Sequence, residues 1–131
     1  MFKSYGKIKY DPTSPRTKFK KWWMILQCDG ELIRYYQHIF YKTHWRKLQT
    51  AAWGSHISSI KGTEPINKAL WGKHSGKTIE FSYNYNGKFE SNGQHVWLKI
   101  QSDKLADIRE ELGLTREPKI PFHISIGYIP K

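Results

Sequence analysis

The sequence predicts an α+β domain built on antiparallel sheet. Alternating apolar segments are spread along the whole chain, two stretches carry helical spacing, and Asn-Gly pairs mark tight turns between them. A length of 131 residues suits one domain with one core, here treated as residues 1–131. Aromatic residues make up 15% of the chain, six of them Trp, enough large apolar side chains to build that core.

Taken in order, the first twenty residues hold Pro12, Pro15 and many Lys and Arg, which predicts a basic extended arm with a short strand at 5–10. The β-branched and aromatic run 22–28, closed by Asp29-Gly30, reads as a buried strand. Leu32, Tyr35, Tyr36, Ile39 and Phe40 recur at i, i+3, i+4, i+7 and i+8, predicting a helix over about 31–43. Residues 55–60 read as a strand. Thr63 and Pro65 then suit a helix start, with Ile66, Ala69 and Leu70 facing inward.

Residues 78–85 alternate and run into Asn86-Gly87, while Asn92-Gly93 precedes alternating Val96, Leu98 and Ile100. Either pair can turn a hairpin. Ser102 or Asp103 caps a helix with Leu105, Ile108 and Leu112 inside, and Gly113 ends it. The final strand is expected over 122–128.

Charge narrows the function classes. Lys and Arg number 22 against 11 Asp and Glu, a net +11 that concentrates anions. The lone Cys28 cannot pair within the chain and fits a core position. Without an apolar leader or a ~20-residue apolar span, the expectation is a cytoplasmic protein with no membrane association.

One tripeptide occurs twice, 67 positions apart: His56-Ile57-Ser58 and His123-Ile124-Ser125. Side chains alternate across a strand, so each copy offers an imidazole and a hydroxyl on one face and an isoleucine on the other. Phe122, Ile124, Ile126 and Tyr128 make the second copy's alternation regular. The first is interrupted by Ser59, on the face that should be apolar. Two unrelated half-buried histidines would give the same letters, but the repeat, the strand setting and the basic charge favour a shared site.

Such a pair suits phosphodiester cleavage without a metal. A neutral imidazole takes the proton of the attacking hydroxyl or water, a protonated one supplies the departing oxygen, and the Ser58 and Ser125 hydroxyls steady the charged phosphoryl oxygens. No metal site is expected, because His38, His44, His74 and His95 are scattered and no zinc spacing is present. Residues 71–77 lack the spacing of a phosphate-binding loop. Neither a cofactor nor an obligate protein partner is predicted.

The two His-Ile-Ser motifs resemble the 2H phosphoesterase superfamily, defined by two His-x-Ser/Thr motifs on strands of two pseudo-symmetric lobes. That resemblance implies a central cleft between antiparallel sheets flanked by helices, with His56 and His123 as acid and base. Tyr-Asp-Pro at 10–12, Trp53, Lys-Gly-Thr-Glu-Pro at 61–65, Trp71 and Val-Trp-Leu at 96–98 are similar to small phage 2H enzymes that destroy cyclic oligonucleotide alarm signals in anti-phage defence. The implied substrate is a cyclic oligo- or dinucleotide, opened by its own 2′-hydroxyl.

Tyr10 and Trp71 lie in polar, turn-rich settings where rings can stack on bases, and Lys61, three residues past Ser58, can steer phosphate. Trp22, Trp23 and Trp97 lie in strand patterns and read as core. The rival functions are opening of 2′,3′-cyclic phosphates on RNA ends, and a basic RNA-binding module without turnover.

Overall fold

The computed structural model describes residues 2–12, 22–50 and 55–130. Seven strands alternate with two helices: β1 (Phe2–Tyr10), β2 (Trp23–Cys28), α1 (Gly30–His44), β3 (His56–Lys61), β4 (Thr78–Tyr83), β5 (Glu90–Ser91), β6 (His95–Gln101), α2 (Asp103–Glu111) and β7 (His123–Tyr128). Every paired neighbour is antiparallel, in the order β4-β1-β2-β3-β7-β6-β5. Ser82↔Gln101 and Tyr83↔Ile100 join β4 back to β6, so six strands close into a barrel and β5 extends one side of β6. Closure leaves few strand edges open to another chain.

One face of these strands meets the helices. Met24, Leu26, Ile57, Phe81 and Ile124 pack in one cluster with Tyr36 and Phe40 of α1 and Leu105, Ile108 and Leu112 of α2. The α2 stripe and its Ser102 cap match the sequence, with Ser102 Oγ accepting from the Leu105 amide at 3.3 Å. In α1 the buried residues are Ile33, Tyr36 and Phe40, whereas Tyr35 is exposed. Gln37 ties this helix to β7 by donating to the Ile126 carbonyl at 2.8 Å.

Two expectations are corrected. Half of the expected arm is strand β1, held between β2 and β4 with Gly6 and Ile8 buried; residues 13–20 of it lie outside the described residues. A helix after Thr63 is replaced by a 3₁₀ turn, Lys68–Leu70, and Ile66 is exposed. The Asn67 amide, which would close the first helical turn onto the Thr63 carbonyl, donates instead to the Leu112 carbonyl at 3.1 Å, beside the Ile66 amide at 3.0 Å, and the pair closes the end of α2. Of the two Asn-Gly pairs left open by the sequence, Asn92-Gly93 makes the tight hairpin, where Asn92 Oδ1 accepts from the amides of Gln94 and His95 at 3.0 and 2.7 Å. Asn86-Gly87 sits in the longer connection from β4 to β5.

Candidate active site

β3 and β7 are hydrogen-bonded neighbours, and Ile57 stands directly across from Ile124. One step to either side, the antiparallel register sets His56 across from Ser125 and Ser58 across from His123. The four side chains form a quadrilateral on one sheet face with a histidine at each of two opposite corners. Diagonal neighbours have Cβ atoms ~7–8 Å apart, a span that long side chains converge across.

The interruption after the first motif has a structural cause. Met24 pairs with Ile60 but Ile25 with Ser58, so Ser59 is an extra residue in β3, and the bulge returns Ile60 to the core face. β7 does the same: Val96 pairs with Gly127 but Trp97 with Ser125, leaving Ile126 as the extra residue. Each His-Ile-Ser is therefore followed at once by a bulge.

Neighbouring strands supply a tryptophan to each histidine. Trp23 lies edge-on to His56 with ring centres 6.2 Å apart, and Trp97 lies 5.9 Å from His123. Trp23 Nε1 also donates to Ser58 Oγ at 3.1 Å. His123 Nδ1 lies 2.9 Å from the Pro121 carbonyl. A carbonyl only accepts, so Nδ1 carries a proton and Nε2 is the ring atom left to exchange one.

His56, Ser58, His123 and Ser125 line one cavity of about 480 Å³. Ser59 and Thr63 add hydroxyls to its lining, and Lys61, Arg109 and Lys119 add cations; Pro118 and Ile120 complete it without any carboxylate. Lys61 also sits 5.6 Å above the Trp23 ring. Three cations in one lining give a positive field that attracts anions.

The structure thus brings together the four motif residues and Lys61. Tyr10 and Trp71 lie outside that lining and pack on each other edge-to-face, ring centres 4.8 Å apart, with Trp22 against Trp71 at 5.2 Å. Trp71 Nε1 donates to Asp11 Oδ2 at 2.9 Å, and Asp11 Oδ1 accepts from the Trp23 amide at 3.1 Å. The pair is turned toward the base of β2 and away from the histidine face because Tyr10 closes β1 in register with Met24, a core residue. Trp53 lies outside the described residues.

Trp23, Trp97 and Arg109 border the site without having been expected there. The tryptophans look like core because their strands alternate. Arg109 had a legible signal: it takes the i+4 slot between Leu105 and Leu112, where a charge interrupts an apolar stripe. It is 6% exposed and donates to the carbonyls of Ser59 and Thr115, both at 2.7 Å. Burial alone pushes its pKa down, yet a guanidinium stays charged. No family model, curated protein or solved structure matches the chain.

Proposed function

We propose that this protein is a phosphodiesterase of the 2H type that cleaves nucleotide phosphodiesters with two histidines and no catalytic metal, acting on cyclic oligo- or dinucleotide signals. The observation that carries the reading is the interlock of the two motifs across Ile57 and Ile124, which faces each histidine with the other motif's serine at a cation-lined cavity. The expected two-lobe organisation belongs to the same proposal. β4-β1-β2-β3 would form one lobe and β7-β6-β5 the other, supported by the matching bulge after each motif.

In the proposed reaction a phosphate rests over the quadrilateral. One imidazole takes the proton of the substrate 2′-hydroxyl as that oxygen bonds to phosphorus. The second, protonated, gives its proton to the departing oxygen as the old P–O bond breaks. Ser58 and Ser125 donate to the phosphoryl oxygens on which negative charge collects, and Lys61 adds field. The product is a linear nucleotide ending in a 2′,3′-cyclic phosphate.

The test is a panel of cyclic dinucleotides, cyclic trinucleotides and RNA ending in a 2′,3′-cyclic phosphate, incubated with the full chain in chelator and resolved by mass spectrometry. Ring opening of a cyclic nucleotide is the expected result. Turnover confined to the RNA ends would move the function to RNA processing. Binding of the whole panel without product would make the chain a nucleic-acid-binding module, and the phosphodiesterase reading would be abandoned.

A further inference from the structure

Two costly groups sit together in the lining of the histidine cavity. Ser59, the bulged residue of β3, is 2% exposed, and its Oγ has no hydrogen-bond partner among the described residues. Arg109 bonds to the Ser59 carbonyl, the Thr115 carbonyl and, at 3.4 Å, to Thr115 Oγ1. A guanidinium has five N–H groups, so two are left. Among the described residues no carboxylate pairs with this cation. A buried hydroxyl without a partner and a buried charge without a counter-ion each lower stability, and a bound anion would answer both.

Both residues line the same cavity as His56 and His123. A phosphate beside them would accept from the spare N–H groups and, once the Ser59 side chain rotates toward the cavity, from its Oγ, and would neutralise the guanidinium. We propose that Ser59 and Arg109 form a second anion subsite, holding a phosphate other than the scissile one, so that the preferred substrates carry at least two phosphates. The subsite needs only an anion to exist. Its use in substrate selection rests on the phosphodiesterase reading above.

The first measurement is calorimetric titration of inorganic phosphate into the full chain carrying His56→Ala and His123→Ala together. That variant is expected to keep one phosphate site. Adding Ser59→Ala should weaken that site at least ~10-fold, the worth of one hydrogen bond to a charged acceptor. The same change should raise Tm, because it deletes a buried hydroxyl that has no partner. Arg109→Gln should weaken the site at least ~10-fold.

A double-histidine variant that binds no phosphate would overturn the subsite, and so would Ser59→Ala raising Tm with phosphate affinity unchanged. With catalysis in hand, Ser59→Ala should lower kcat/KM at least ~10-fold on a cyclic dinucleotide and less than about 2-fold on a dinucleoside monophosphate, whose single phosphodiester keeps the neighbouring 2′-hydroxyl that the reaction needs. An equal loss on both would overturn the second-phosphate assignment. Phosphate held by the double-histidine variant while the wild type turns over nothing would sink the phosphodiesterase reading and leave the anion site standing.

Discussion

The indole Nε1–H of Trp23 points at Ser58 Oγ from 3.1 Å, so a side chain on β2 decides how a hydroxyl on β3 turns. An oxygen that accepts from Trp23 keeps its own proton to give. In the proposed reaction that proton goes to the phosphate, which makes Trp23 a positioning residue.

Trp23→Phe keeps an aromatic ring beside His56 and removes only the donor and part of the ring. The expected result is a kcat lower by about 3–10-fold with KM within about 2-fold, from one lost hydrogen bond that steers the donor. Steady-state kinetics on the cleaved substrate decide it. Unchanged kcat with a well-folded variant would show that Ser58 orients without help.

Replacing either histidine by Ala is expected to lower kcat by at least ~100-fold. The double variant should lose little more than either single, because one missing partner already stops the transfer of a proton in and a proton out. Multiplying losses would mean that the two rings act independently, contrary to a shared phosphate between them.

Cys28 has its thiol pushed up to about 12 by burial, and its Sγ lies 3.5 Å from the Leu26 carbonyl. At pH 8 the folded protein should react with iodoacetamide far more slowly than the unfolded chain, where a thiol titrates near 8.5. The raised value also fixes the sign of linkage. Its contribution to stability is complete below pH ~8.5 and is lost as the pH climbs toward about 12, so unfolding at alkaline pH should be accompanied by thiolate absorbance. Rapid alkylation of the native state at pH 8 would contradict the burial of this group.

Helix existence was legible where one set of residues held the face, Leu105, Ile108 and Leu112 in α2; the strand β7 was legible too, but the alternation read through to Tyr128 stops at the Ile126 bulge, which sets Gly127 across from Val96. The helix expected after Thr63 does not close its first turn, since the Asn67 amide goes to Leu112 of the α2 end, a long-range contact that local capping chemistry does not display. The histidines and serines were legible as residues. Their meeting at one site was expected from the repeat, but its route, direct pairing of β3 with β7 across Ile57 and Ile124, was not legible. Ser59 marked a bulge that reads, one letter at a time, as broken alternation. Tyr10 and Trp71 were chosen for polar surroundings, but Asp11 and Trp22 complete a contact set of their own beside the site.

Gly127 offers the sharpest test of how the second motif is held. It follows Ser125 by two residues, across the Ile126 bulge, where the chain at Leu48 and Gln49 crosses β7. A Cβ added there would stand 2.7 Å from the Gln49 carbonyl oxygen and 2.9 Å from Leu48 Cβ. The carbonyl is fixed, because Gln49 and Tyr128 exchange hydrogen bonds in both directions, at 2.8 and 2.9 Å. Gly127→Ala must therefore push two backbones apart, at a cost of about 1–3 kcal/mol and a Tm drop of about 4–12 °C. Gly30→Ala gives the opposite sign: nothing lies within 4 Å of its added Cβ, and it opens α1, so a gain of about 0.4–1 kcal/mol is expected. Thermal unfolding of the two variants side by side checks both. A Gly127→Ala protein as stable as the wild type would mean that the crossing segment yields freely, and that Ser125 is not pinned by it.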